Sequence, residues 1–200
     1  KYNFIQQNTF HNRLKRFGDI FFSIFLLFLS SPILLISGIL IWINDRGSII
    51  YKQKRVGKGG KEFYIYKLRT MILNAEKYSG PRWVSINDKR ITFIGKLLRK
   101  SRIDEIPQLF NWIKGDIKLV GVRALSEHYF GLYPSDLQQK RTNFKPGLIP
   151  PYYADLPKSF DEIIESERNY LNQKETSPII TDIRYILKAM SNNFLGARSK

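Results

Sequence analysis

Two hundred residues suffice for one compact domain plus an anchor and leave little room for a second independent core. The chain has no cysteine, which excludes a disulfide framework, a thiolate zinc site and a cysteine nucleophile. A formal net charge of +16 narrows its partners to nucleic acid, an anionic membrane surface or a polyphosphate substrate.

No charged residue occurs from Ile20 to Asn44. At ~1.5 Å per residue a straight helix over these positions reaches about 36 Å, enough to cross a hydrocarbon layer of ~30 Å. The run is too long for the apolar part of a cleavable signal, and no Ala-x-Ala pattern follows it. A core helix of this length needs more surrounding protein than so small a domain supplies. Pro32 removes one backbone hydrogen bond and pushes out the carbonyl of residue 28, while the hydroxyls of Ser30 and Ser31 can re-satisfy groups freed in lipid. Arg13, Lys15 and Arg16 precede the segment and Arg46, Lys52, Lys54 and Arg55 follow it. Two basic flanks favour the same side of the membrane for both ends. The reading is therefore a re-entrant helix over 13–44, broken at Ser31-Pro32, with Asp19 at headgroup level beside Lys15 or Arg16.

Ile49–Arg55 and Glu62–Arg69, rich in Ile, Tyr and Phe, read as a hairpin around Gly57-Lys58-Gly59-Gly60. That loop lacks the spacing of a phosphate-binding loop, so it reads as a turn. Ile72–Lys89 is irregular, with a loop at Ser79-Gly80-Pro81. Thr92–Lys100 is a short basic amphipathic helix, and Ile106–Lys114 is a second helix closed by Gly115. Ile117–Gly121 reads as a strand and Leu125–Lys140 as helix broken near Pro134. Lys145–Pro157, with Pro146, Pro150, Pro151 and Pro157, reads as extended loop. Ser159 and Glu162 form a capping box that opens an acidic helix to Gln173, and Pro178–Phe194 is a final amphipathic helix. Strands and helices do not alternate regularly, so a doubly wound sheet is not expected. The expected fold is a mainly helical α+β one: the membrane hairpin, then a domain over 45–200 with a minor sheet, lying on the membrane by amphipathic helices.

The chemistry concentrates at Asp104-Glu105, with Arg90, Arg99, Lys100 and Arg102 around them. Pro107 is tolerated only in a first helical turn, which puts the pair at a helix N-terminus, where the dipole favours anions. A carboxylate kept ionised by arginines can attack phosphorus, and a second can hold Mg²⁺, a cation that prefers oxygen ligands and phosphates. The same residues also suit an ordinary acidic first turn neutralised by arginines. His128 reads as structural, since this chemistry does not require it.

The string Asp-x-Arg-x-Thr-x-x-Gly-x-x-x-Arg-x-x-x-x-Asp-Glu-x-Pro-Gln, from Asp88 to Gln108, resembles the monotopic phosphoglycosyl transferases of bacterial glycoconjugate assembly. Lys15-Arg16 with Asp19, Ser31-Pro32, Gln53-x-Arg55-Val56-Gly57, Tyr66-Lys67-Leu68-Arg69-Thr70-Met71 and Lys114-Gly115-Asp116 extend the likeness. The resemblance implies a re-entrant helix hinged at Ser31-Pro32 and a ping-pong reaction. Asp104 would attack the β-phosphate of a UDP-sugar and release UMP, and polyprenyl phosphate would then take the phospho-sugar. It also implies Mg²⁺ on Asp104 and Glu105, and phosphate contacts from Lys67, Arg69 and Arg99, with Arg90 and Arg123 completing the set of phosphate-binding candidates.

Two segments depart from the family pattern. Pro-Arg-Pro becomes Val122-Arg123-Ala124, and after Pro146-Gly147 a Thr-Gly-Trp gives way to Leu148-Ile149-Pro150-Pro151-Tyr152-Tyr153. Both are associated with donor recognition, so a CDP-linked or other nucleotide donor stays open. Tyr152 and Tyr153 suit either stacking on a base or sugar, or a place at the membrane interface. The expected setting is the cytoplasmic face of a bacterial inner membrane, with nucleotide sugar, polyprenyl phosphate and bilayer lipids as partners and self-association left open. A non-catalytic basic membrane protein is the competing class. Nucleic acid is not expected, because the aromatics do not interleave with basic residues as a stacking platform requires.

Overall fold

The computed structural model describes residues 2–75 and 88–194, with side chains from residue 13 to residue 192. The loop expected at Ser79-Gly80-Pro81 lies outside the described residues. The chain forms two compact units, one of Lys1–Gln53 with Ile65–Lys114 and the other of Lys54–Tyr64 with Gly115–Lys200. The mainly helical α+β expectation holds, with two small two-stranded sheets.

The first unit begins with helix α1 (Tyr2–Asn44), whose stretch Arg13–Asn44 is long and apolar enough to cross a membrane. Its apolar side chains are mostly exposed, with Phe28 at 78% and Leu29 at 67%, so α1 is not the core helix of a soluble domain. The helix continues through Pro32, where the sequence predicted a break. Ser31 Oγ donates to the Phe28 carbonyl at 2.7 Å and so takes up the acceptor that Pro32 cannot serve. Ser30 Oγ likewise donates to Leu26 O at 2.7 Å.

Arg16 donates to the Trp112 and Ile113 carbonyls at the end of the six-residue helix α3 (Leu109–Lys114). Trp42, at the other end of the apolar stretch, lines one cavity with Phe110 and Lys114. A straight helix would separate Arg16 from Trp42 by about 39 Å, whereas α3 is about 9 Å long. Both stretches of α1 thus lie near α3.

Strands β1 (Ile50–Val56) and β2 (Glu62–Leu68) form the hairpin sheet read from sequence, and the Gly59 and Gly60 turn uses φ of 70° and 72°. The strand pair is divided between the two units. Helix α2 (Phe93–Ser101) follows, then a 3-10 segment, Ile103–Gln108, that leads into α3. The expected single helix over Ile106–Lys114 thus begins earlier and with a tighter turn. Ile41, Leu68 and Leu98 form the core of this unit.

In the second unit, β3 (Lys118–Val120) pairs in parallel with β4 (Gly147–Ile149), with Lys118 opposite Gly147 and Val120 opposite Ile149. Gly147 is required there, because a Cβ would lie 2.0 Å from the Gly121 nitrogen. Helices α4 (Glu127–Phe130) and α5 (Ser135–Thr142) flank the break expected near Pro134. The expected extended loop over Lys145–Pro157 instead holds β4 and helix α6 (Tyr152–Asp155). Its prolines start the helix rather than prevent it: Pro151 sits at the N-cap, where the missing N–H costs nothing.

Helices α7 (Phe160–Thr176) and α8 (Pro178–Phe194) complete the unit. Ser159 accepts from the Glu162 amide at 3.2 Å, as the capping box requires, but Glu162 reaches back to the Lys158 amide. Leu137, Tyr170 and Leu171 are the centre of the core.

Candidate active site

The site is built where the end of β2 meets the start of α2. The Thr92 amide donates to Thr70 O at 3.1 Å and the Ile72 amide to Arg90 O at 2.9 Å. Met71 and Ile91 form a bridge between them. Thr92 caps α2 by accepting from the Gly95 amide at 2.9 Å. Gly95 lets the helix lie directly on the strand end, since a Cβ there would stand 2.0 Å from Thr70 O. The spacing of Asp88, Arg90, Thr92 and Gly95 thus has a local physical basis.

Asp88 and Arg90 form a buried fork. Arg90 Nη2 and Nε donate to Asp88 Oδ2 and Oδ1 at 2.7 and 3.0 Å. Arg90 therefore braces the loop in front of α2. Its charge acts on Arg99 through space.

Helix α2 ends at Arg102, a left-handed residue with φ 58° that also caps the 3-10 segment. This turn sets Asp104 and Glu105 in the first turn of that segment, ahead of Pro107, as the sequence predicted. Asp104 is 7% exposed. Glu105 Oε1 accepts from Lys67 Nζ at 2.6 Å, and both side chains are largely buried. Arg99 is held by its Nε bond to Thr70 Oγ1 at 2.8 Å. Burial pushes the Arg99 guanidinium below the usual arginine value, and the charges of Asp104 and Asp88 oppose that shift. Lys67 and Arg99 thus belong to the carboxylate pair. The arrangement can hold an anionic phosphate beside a desolvated carboxylate, which is the requirement for nucleophilic attack on phosphorus.

Arg69 is committed to Asp45, donating to its carbonyl oxygen and lying 3.8 Å from its carboxylate. Its Nη1 is buried without a hydrogen-bond partner among the described residues, next to Gly47. Arg123 belongs to the second unit, where Nη1 donates to Tyr152 Oη at 2.6 Å. The two segments that depart from the family pattern therefore touch each other. Arg141, ion-paired with the fully buried Glu167, donates to the Arg123 carbonyl at 2.6 Å and holds that loop. His128 packs edge-on against Tyr129.

Three contributors carried no assigned role in the sequence. Thr70 supports Arg99, Arg141 supports the Arg123 loop, and Asn111, fully buried, accepts from the Tyr66 amide at 3.1 Å and ties β2 to α3. Asn111 left a signal, a lone polar residue within the apolar run Leu109–Ile113.

For a metal, the described residues contain no cluster of three or more His, Asp or Glu side chains. Two adjacent carboxylates alone fit Mg²⁺, which takes one or two carboxylates and completes its shell with water and phosphate.

The chain belongs to the bacterial sugar transferase family, whose model matches residues 10–196. A Bacillus subtilis (strain 168) protein provisionally named undecaprenyl-phosphate N-acetylgalactosaminyl 1-phosphate transferase is 48% identical over 55% of this chain and 61% of its own length. The UDP-N-acetylgalactosamine-undecaprenyl-phosphate N-acetylgalactosaminephosphotransferase of Aeromonas hydrophila is 43% identical over 55% of this chain and 26% of its own. Galactosyl transferase CpsE of Streptococcus agalactiae serotype III (strain NEM316) is 35% identical over 78% of this chain and 37% of its own. The chain spans less than two thirds of each of these relatives.

Proposed function

We propose that this chain transfers a sugar 1-phosphate from a nucleotide diphosphate sugar, UDP-linked, to a membrane polyprenyl phosphate and so initiates polysaccharide synthesis. One observation carries the reading: Asp104 is buried in a first helical turn beside desolvated Arg99, while its neighbour Glu105 is bound by Lys67. The names of the relatives, which include undecaprenyl phosphate, support the acceptor class.

In the first half-reaction an Asp104 oxygen bonds to the sugar-bearing phosphorus as its bond to the bridging oxygen breaks. The nucleoside monophosphate leaves with that electron pair. In the second half, an oxygen of the lipid phosphate displaces Asp104, which regains its carboxylate, and a lipid-linked diphosphate sugar departs. Arg99 and Lys67 offset charge on the phosphoryl oxygens. Asp104 and Glu105 would hold Mg²⁺, which when bound would neutralise further charge on the diphosphate.

The membrane reading is that α1 enters the cytoplasmic leaflet and returns, hinged at Ser31-Pro32. The basic flanks support it, as do the approach of both α1 stretches to α3 and the Ser31 bond to Phe28 O. Donor selection is assigned to the contact of Arg123 with Tyr152, where the chain leaves the family pattern.

The test is the intact mass of the protein given Mg²⁺ and UDP- or CDP-linked donors without acceptor. A phospho-sugar adduct is expected on the wild type and none on Asp104→Asn, with monophosphate release falling by at least about 10³-fold. Undiminished release from Asp104→Asn would refute the covalent step. If the wild type neither gained mass nor released monophosphate with any donor, even with polyprenyl phosphate, the non-catalytic membrane protein would be the better reading.

A further inference from the structure

The first unit contains a cavity of about 910 Å³ that the transfer chemistry leaves unused. Leu34, Leu35 and Trp42 of α1, Leu68 of β2, and Pro107 and Phe110 line it, and no carboxylate among the described residues does. Leu35 and Trp42 are exposed, so the cavity opens onto the apolar surface that α1 presents.

One part of its rim is cationic and aromatic. Lys52 and Lys114 place their ammonium groups 5.8 and 4.8 Å from the Tyr66 ring, and Lys114 also donates to Tyr66 Oη at 2.7 Å. The Arg46 guanidinium lies 5.7 Å from the Trp42 ring. Tyrosine and tryptophan are the side chains that settle at headgroup depth, and clustered cations there attract anionic lipid.

Alternation along β2 separates this rim from the carboxylate pair. Tyr66 and Leu68 face the cavity, whereas the intervening Lys67 faces Glu105. An acceptor whose phosphate must reach Asp104 would use the Lys67 side. The ligand that fits is an amphiphile with long hydrocarbon chains and a compact anionic head.

We propose that this cavity binds one anionic phospholipid of the surrounding bilayer, its acyl chains along α1 and its phosphate between Lys52 and Lys114. The lipid would wedge the membrane helix against α3 and the segment that carries Asp104 and Glu105. The site makes no assumption about the reaction.

The test uses the full chain, delipidated in non-ionic detergent, with phosphatidylglycerol, phosphatidylcholine or a polyprenyl phosphate added. Native mass spectrometry is expected to show one retained phosphatidylglycerol per chain, and thermal melting a Tm raised by that lipid more than by phosphatidylcholine. Lys52→Glu and Lys114→Glu should each weaken phosphatidylglycerol binding about fivefold or more. Gly38 lines the cavity beside the Ile49 side chain. Gly38→Leu should fill the space and abolish retention while the lipid-free Tm is kept, which separates lost binding from lost folding. Equal binding of phosphatidylcholine, retention of the polyprenyl phosphate alone, or indifference to all three substitutions would overturn the proposal.

Discussion

The carboxylate pair depends on a contact between two backbones at Gly95. A methyl group there would stand 2.0 Å from Thr70 O, and neither the strand end nor the first turn of α2 can yield as a flexible side chain would. Gly95→Ala should therefore destabilise the first unit by about 1–3 kcal/mol, the usual range for overpacking. It should also shift Thr70, the partner of Arg99, so that transfer activity falls further than the lost stability explains. Denaturant melts of the variant, with activity measured well below the melting range, check both effects. A variant as stable and active as the wild type would show that the contact does not position Arg99. Lys67 acts at the same scale, since its 2.6 Å bond occupies Glu105, while Asp104 exerts the largest attraction of the nearby carboxylates on the half-buried Arg99.

Among the elements, α1 has the most unusual task, because a proline lies inside a helix that must satisfy its backbone away from water. Ser31 closes the gap by donating to Phe28 O. Under the proposed re-entrant path both helix ends stay on one side of the membrane. The absence of cysteine makes this simple to test, since a single introduced thiol has no competitor. In sealed inverted vesicles Lys15→Cys and Arg46→Cys should both react with an impermeant maleimide. Adding Pro32→Ala restores an ordinary helical hydrogen bond and should carry Lys15→Cys to the protected side. Protection of either thiol in the parent would instead indicate a straight span. Helix α8 shows the complementary arrangement, with Ile180, Ile183 and Leu187 exposed along one stripe beside Arg184 and Lys188, as suits a helix lying on a lipid surface.

At the scale of the whole molecule, the second unit stores buried phenols in its core. Burial and the nearby Asp155 push Tyr185 up to about 12, and burial with Asp182 raises Tyr170 as well. The unfolded chain would release these protons near pH 10, whereas the folded chain holds them longer. Unfolding therefore releases protons between about pH 10 and 12, and stability must fall across that window. For Tyr185 the loss is on the order of 1–3 kcal/mol. Tyr185→Phe should flatten the decline in Tm above pH 10, and an unchanged slope would mean that Tyr185 does not titrate differently on folding.

Local order along the chain made much of this protein legible. The uncharged run, its basic flanks and Pro32 follow from residues close in sequence, as do the hairpin, the Ser159 cap and the Asp104-Glu105 turn. Each depends on backbone conformation, charge or periodicity over a few positions. What the chain order could not decide was partnership at a distance. Lys67 reaches Glu105 while Arg69, on the same strand, goes to Asp45. The proline-rich segment from Lys145 forms β4 and α6 because β3 offers its backbone as a parallel partner and Gly121 and Gly147 permit close approach. The same holds for Arg123 meeting Tyr152 and for the cavity between α1 and Phe110. Patterning selects which faces are buried, but only tertiary packing brings groups from separate elements within the 3 Å or so where hydrogen bonds and ion pairs act.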